Sequence, residues 1–125
     1  MRICVYGAGA IGGNFAARLS AAGNDVSVVA RGAHLEAIRS RGLTLLTGDR
    51  KIVAEVRASD RPADLGPQDV VISTLKASSL ADLAANITPL LGPGTPVVFA
   101  QNGIPWWYGQ GLAKGRRAAP DLSRL

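Results

Sequence analysis

The chain has 125 residues, of which 47% are hydrophobic and 18% are charged, and its net charge is +5. This length and composition are typical of one globular α/β domain with a buried core. No apolar run approaches the ~20 residues of a membrane-spanning helix, and no secretory signal is visible, so we expect a cytoplasmic protein without a membrane partner.

The remaining composition argues against two further classes of site. The basic residues are mostly scattered and show no interleaved aromatic pattern, which argues against a nucleic-acid partner. Cys4 and His34 are the single cysteine and the single histidine, so we expect neither a disulfide framework nor a metal site. Cys4 lies in an apolar run and is predicted to be a small core residue.

The first predicted strand, residues 3–6, leads into a glycine motif and then into a predicted helix over residues 13–22. The motif reads Gly7-Ala8-Gly9-Ala10-Ile11-Gly12. A strand, a G-x-G-x-x-G turn and a helix in this order form the dinucleotide-binding fingerprint. The three glycines permit a tight turn, close approach of a pyrophosphate and close helix packing, and the free N–H groups of the helix then bind phosphate. We therefore predict a cofactor site here; the alternative is a plain glycine-rich turn.

The second predicted strand, residues 25–30, is followed directly by Arg31. In NAD-binding folds an acidic residue near this place binds the ribose hydroxyls. No acidic residue stands beside Arg31 in the sequence, and a guanidinium favours a 2′-phosphate through charge-assisted, fork-shaped hydrogen bonds. The sequence therefore predicts NADP(H) rather than NAD(H) as the cofactor, the alternative being a solvated surface arginine.

The later elements alternate between strands and helices. A short helix is predicted over residues 33–40, a hairpin over residues 43–47 and 51–56, and a loop with at most one helical turn over residues 59–68. Strands are predicted over residues 69–75 and 95–100. Between them a helix is predicted from Ser79 to about residue 91, with Ser79 and Asp82 as a capping box. This order predicts a doubly wound, mainly parallel Rossmann-type sheet.

Two polar residues directly follow predicted strands. Lys76 comes after residues 69–75, and Asn102 comes after residues 95–100. Ligands of open α/β sheets bind outside the carboxyl ends of the strands, so both residues are expected near the glycine motif. A lysine attracts a carboxylate, and an asparagine offers both a donor and an acceptor. The alternatives are a surface lysine and a turn asparagine before a glycine.

Four segments together resemble the N-terminal domain of the ketopantoate reductase (2-dehydropantoate 2-reductase) family, in register over about residues 1–110. They are Gly7-Ala8-Gly9-Ala10-Ile11-Gly12-Gly13, Ala30-Arg31-Gly32, Thr74-Leu75-Lys76-Ala77 and Gln101-Asn102-Gly103-Ile104. The resemblance implies NADPH-dependent reduction of a 2-keto acid to a 2-hydroxy acid, as in pantothenate biosynthesis. It also implies that residues 7–12 and Leu75 hold the cofactor, that Arg31 holds its 2′-phosphate, and that Lys76 and Asn102 lie near the nicotinamide and the substrate as the catalytic candidates.

The resemblance also sets an expectation for domain organisation. Residues 1–110 are predicted to form the NADP-binding domain, and residues 111–125 a linker or a truncated C-terminal segment. Family members are two to three times longer and carry a helical C-terminal domain, which supplies the lysine that acts as general acid. We therefore expect this chain to be incomplete as a catalyst and prone to self-association through exposed apolar residues such as Trp106 and Trp107. The competing interpretations are another NADP-dependent dehydrogenase and a stand-alone NADP-binding or regulatory module.

Overall fold

The structure, a computed structural model, describes residues 1–103. In chain order the strands are Arg2–Tyr6 (β1), Asp25–Val29 (β2), Leu43–Thr47 (β3), Arg50–Ala54 (β4), Arg57–Ser59 (β5), Val70–Ser73 (β6) and Val97–Phe99 (β7). The α-helices are Ala10–Ala21 (α1), Gly32–Arg41 (α2) and Leu80–Asn86 (α3), with short 3₁₀ turns at Pro62–Asp64, Ala77–Ser79 and Thr88–Leu90. The boundary predicted at residue 110 and the Trp106-Trp107 pair lie outside the described residues, so the predictions that rest on them stay predictions.

Five parallel strands form the central sheet, in the order β5-β2-β1-β6-β7. From β1 the chain moves outward to β2 and β5 on one side, and then to β6 and β7 on the other. The predicted doubly wound, parallel architecture is confirmed. Tyr6, the last residue of β1, lies opposite Val29 of β2 and Ser73 of β6, so three carboxyl ends meet at one edge of the sheet. That edge, at the point where the strand order reverses, is the usual ligand site of such a sheet.

Alternating side chains of β1 enter two separate cores, because successive residues of a strand point to opposite faces. Cys4 and Tyr6 pack in a cluster with Leu80 and Leu83 of α3. Val5 packs in a second cluster, which includes apolar residues of α1, α2 and the β3–β4 hairpin. Both faces of the sheet are therefore covered. Burial raises the pKa of the Cys4 thiol to about 11, which agrees with its predicted role as a core residue and not a nucleophile.

Three expectations about local structure need correction. The helix predicted from Ser79 to residue 91 is shorter: α3 ends at Asn86, because Pro89 has no N–H for an α-helical hydrogen bond, and a 3₁₀ turn, Thr88–Leu90, follows. The capping box is wrong, since Ser79 makes no side-chain cap hydrogen bond. Residues 57–59, of which 57 and 58 are predicted to belong to no element and 59 to the start of a loop, form β5, which pairs with β2.

The hairpin itself is confirmed. β3 and β4 pair antiparallel, with Thr47 opposite Arg50, so Gly48-Asp49 forms the predicted two-residue turn. The hairpin forms a separate two-stranded sheet that contacts α1.

Two adjacent glycines of α1 allow a direct test of how closely this helix packs on β1. A Cβ at Gly12 would clash with the carbonyl oxygen of Gly7 and lie 2.6 Å from Thr74 Oγ1, whereas a Cβ at Gly13 would lie 3.8 Å from Leu43 Cδ1. We expect Gly12→Ala to lower the free energy of unfolding by about 1–3 kcal/mol through overpacking. The matched control Gly13→Ala should be neutral or stabilising by up to about 1 kcal/mol, because alanine favours a helix. Urea unfolding would measure both; equal stability of the two variants would contradict the proposed close contact.

Candidate functional site

The glycine motif forms a tight turn between β1 and α1. Gly7 has a φ of +102°, which favours glycine, and its N–H donates to the Val29 carbonyl oxygen at 3.0 Å. Gly9 has an ordinary φ of −64° and is the N-cap of α1. Apart from its chain neighbours, a Cβ at Gly9 would meet no atom of the described residues within 4 Å. Gly7 and Gly12 are therefore required by the turn and by helix packing, whereas the space beside Gly9 is open to a ligand.

The N-terminus of α1 is suited to an anion. No side chain caps this helix, and its first turn contains no acidic residue. The backbone N–H groups of a helix's first turn have no partner within the helix and form the positive end of the helix dipole. The residues of this turn line a groove on the surface, so these donors are available to a phosphate.

Thr74 holds the glycine turn in place, a role that sequence reasoning missed. It follows β6, and its Oγ1 donates to the Gly7 carbonyl oxygen at 2.7 Å. Its backbone N–H donates to the Tyr6 carbonyl oxygen at 3.0 Å. The end of β6 is thus fastened to the turn that follows β1. The sequence contained only a weak signal for this bond, because a threonine at a strand end has many other roles.

On one side of the glycine turn lies a cavity that we call the arginine pocket, lined by Tyr6, Gly7, Arg31, His34, Leu75 and Asp82 among others. On the other side lies the lysine groove, lined by Gly12, Thr74, Leu75, Lys76, Gln101 and Asn102 among others. Gly9 and Leu75 line both, so the two sites are adjacent at the turn.

The structure brings all the predicted site residues together at this edge of the sheet. The arginine pocket contains Gly7, Ala8, Gly9, Arg31 and Leu75. The lysine groove contains Gly9, Ala10, Ile11, Gly12, Leu75, Lys76 and Asn102. Their placement agrees with the sequence argument from strand ends, while their roles in binding and catalysis stay predictions.

Arg31 is not a free cation. Its Nη2 donates to Asp82 Oδ2 of α3 at 2.7 Å, and the two side chains remain 63% and 46% exposed. This hydrogen bond is the main cause that raises the pKa of Arg31. Sequence reasoning found no acid beside Arg31, and the partner comes instead from a helix 51 residues away. Asp82, predicted as part of a capping box, is thus the ion-pair partner of Arg31.

Two residues that line these sites each carry a buried polar atom with no hydrogen-bond partner among the described residues. The atoms are the Tyr6 hydroxyl, from a residue of the arginine pocket, and Gln101 Oε1, from a residue of the lysine groove. Burial raises the pKa of Tyr6 and the nearby Asp82 carboxylate raises it further, whereas the Arg31 guanidinium close to the hydroxyl lowers it. Buried polar groups are normally paired, so these two are candidates for contact with a ligand.

Within residues 1–103, no helix is long and apolar enough to cross a membrane. The same residues contain no group of three or more histidine, cysteine or acidic side chains placed to hold a metal ion.

Comparison with known proteins identifies relatives of the whole described domain. A family model described as "Ketopantoate reductase PanE/ApbA" matches residues 3–106. Over 113 residues the chain is 52% identical to a 2-dehydropantoate 2-reductase of Mesorhizobium japonicum. This alignment covers 90% of this chain and 35% of the relative.

Solved structures give the same answer. A PanE/ApbA family ketopantoate reductase from Ralstonia eutropha JMP134 superposes with a TM-score of 0.77 at 32% identity, covering 82% of this chain and 35% of that chain. D-mandelate dehydrogenase, in a ternary structure with NADH and anilino(oxo)acetate, superposes with a TM-score of 0.75 at 28% identity, covering 84% of this chain and 34% of that chain. The chain thus spans about a third of the length of these relatives. The resemblance expected from the sequence is confirmed, and the chain belongs to the ketopantoate reductase family.

Proposed function

We propose that this chain is the NADPH-binding part of an oxidoreductase that reduces a 2-keto acid, similar to 2-dehydropantoate, to a 2-hydroxy acid. The observation that carries the proposal is the uncapped N-terminus of α1, placed where the arginine pocket and the lysine groove meet. A dinucleotide has a matching arrangement, since its central pyrophosphate lies between two different nucleosides. The names of relatives such as the Mesorhizobium 2-dehydropantoate 2-reductase support the substrate class.

The residues present fit such a cofactor. The open space beside Gly9 and the free N–H groups of α1 suit the pyrophosphate. The arginine pocket suits the adenosine half, with Arg31 for a 2′-phosphate and the unpaired Tyr6 hydroxyl as a further hydrogen-bonding group. The lysine groove suits the nicotinamide half, where the unpaired Gln101 Oε1 is an acceptor for an amide. When bound, the cofactor supplies the hydride.

Substrate recognition is assigned to the ends of β6 and β7. Lys76 follows β6, and its exposed ammonium group attracts the carboxylate of a 2-keto acid. Asn102 follows β7 and offers both a donor and an acceptor for orienting the substrate or the nicotinamide amide. Both lie on the groove that begins at Gly12, so they act where the pyrophosphate and the reacting end of the cofactor meet.

A second candidate is a related 2-hydroxy-acid dehydrogenase that uses NADH. It is favoured by the likeness to D-mandelate dehydrogenase, whose structure holds NADH. Arg31 favours NADPH over this alternative, since a guanidinium recognises a 2′-phosphate that NADH lacks.

The space beside Gly9 gives the first test of the proposal. Gly9→Val adds a side chain in that space while leaving the backbone in an allowed conformation, because φ is −64° and, chain neighbours apart, no atom of residues 1–103 lies within 4 Å of the added Cβ. We expect NADPH affinity to fall by at least about tenfold, with a smaller loss for Gly9→Ala, because the pyrophosphate must approach this backbone closely. Fluorescence titration would measure binding, and thermal unfolding would verify the fold. Unchanged affinity in a folded Gly9→Val variant would place the pyrophosphate elsewhere.

Arg31 gives the test of cofactor preference. We expect Arg31→Ala to weaken NADPH binding by about tenfold or more, and to leave NADH nearly unchanged, since one charge-assisted contact is worth roughly 1.5–3 kcal/mol. Arg39→Ala is the matched control, because the Arg39 side chain donates to the Ala58 carbonyl oxygen and does not line the arginine pocket. An equal loss for both cofactors would mean that Arg31 contacts a group that they share.

The lysine groove gives a test of catalytic competence. Lys76 is its single titratable side chain among the described residues, and the groove is open to solvent. We expect the 125-residue chain to bind NADPH but to reduce ketopantoate more slowly than about one turnover per second, because acid catalysis and substrate positioning are both weak in such a groove. A faster rate that disappears in Lys76→Ala would contradict this expectation and identify Lys76 as the proton donor.

A further inference from the structure

We propose that Asp82 is a specificity-determining residue that lowers the preference of this site for a 2′-phosphate, by competing with that phosphate for Arg31. The proposal rests on the proposed function, in which Arg31 receives the 2′-phosphate of NADPH. Without Asp82, recognition of the 2′-phosphate would depend on Arg31, at the end of β2. The proposal adds to it an acidic residue from α3.

The first support is the geometry of the ion pair. Arg31 follows β2, whereas Asp82 lies in the first turn of α3, which packs on the sheet face that contains Cys4 and Tyr6. Their side chains meet at 2.7 Å, and both residues line the arginine pocket. The pair therefore bridges the rim of the pocket that the adenosine half would enter. A phosphate that binds Arg31 must share the guanidinium with Asp82 or displace it.

The second support is the charge of the pocket. Among the described residues that line the pocket, Arg31 and Asp82 are the charged ones. With His34 counted as neutral, their formal charges cancel. A 2′-phosphate carries close to two negative charges at neutral pH, and a carboxylate beside it is repelled. Arg31 thus attracts the phosphate in a pocket whose formal charge is zero. The site recognises the 2′-phosphate less strongly than a lone arginine would.

The third support is that the pair is easily opened. Both side chains are about half exposed, and exposed ion pairs contribute little net free energy because water and salt screen them. Asp82 also has a second partner, since Asn86 Nδ2 donates to its Oδ1 at 3.2 Å. Asp82 is therefore held on α3 when Arg31 leaves it, and its negative charge stays beside the phosphate.

The experiment compares two nucleotides that differ only in the 2′-phosphate, 2′,5′-ADP and 5′-AMP, as ligands of the 125-residue chain and of Asp82→Asn. We expect Asp82→Asn to bind 2′,5′-ADP about two- to fivefold more tightly, and to leave 5′-AMP affinity unchanged. The gain should shrink as salt is raised from about 0.05 to about 0.5 M, because the effect is one of charge. Asp25→Asn is the matched control: it removes the same charge from another exposed arginine pair, with Arg57, outside the arginine pocket.

Weaker 2′,5′-ADP binding by Asp82→Asn would overturn the proposal, since Asp82 would then position Arg31 and not compete with the phosphate. Equal changes for both nucleotides, or an equal gain in Asp25→Asn, would overturn it as well. Failure of the proposed function is seen separately, in the parent chain: it would bind the two nucleotides equally, and Arg31→Ala would not alter either affinity.

Discussion

The contact between α1 and the turn after β1 determines where every part of the site lies. Gly12 rests against the carbonyl oxygen of Gly7, with no room for a side chain, and Thr74 Oγ1 donates to that same oxygen at 2.7 Å. One carbonyl group thus joins the first strand, the first helix and the end of β6. Because α1 is held so close, its uncapped N-terminus opens directly above the sheet edge. The side chains that follow β2, β6 and β7 are then arranged around it.

This contact also separates the roles of the glycines. Gly7 and Gly12 are required by the protein itself, since the first has a positive φ and the second has no space for a Cβ. Gly9 has an ordinary φ and open space, so nothing in the described residues demands a glycine there. A glycine without a structural reason is a stronger sign of a ligand than one with such a reason. Gly9 is therefore stronger evidence for a bound ligand than the motif as a whole.

The sequence predicted the sheet, and which side chains meet at one edge of it, because both depend on local patterns. Apolar strand runs and the spacing of the glycines placed Lys76 and Asn102 at the correct edge. The ion pair of Arg31 was not predictable in the same way. Asp82 lies 51 residues away, and its spacing from Ser79 suggested a capping box that the structure does not contain. The short strand β5 was also missed, since its residues Arg-Ala-Ser lack an apolar alternation and it forms only through pairing with β2.

In the proposed function, the two halves of the candidate site would recognise a cofactor by different physical means, which indicates where selectivity would arise. Backbone N–H groups and the helix dipole act on a pyrophosphate that NADH and NADPH have in common. Accordingly, the same fold occurs in D-mandelate dehydrogenase, whose structure contains NADH. The fold and the glycine turn therefore cannot by themselves choose between the two cofactors. That choice falls to the side chains at the rim of the arginine pocket, where Arg31 and Asp82 bear opposite charges at 2.7 Å. Since both side chains are exposed and neither belongs to the core, the proposed function implies that one substitution here would change cofactor preference without altering the sheet that supports the site.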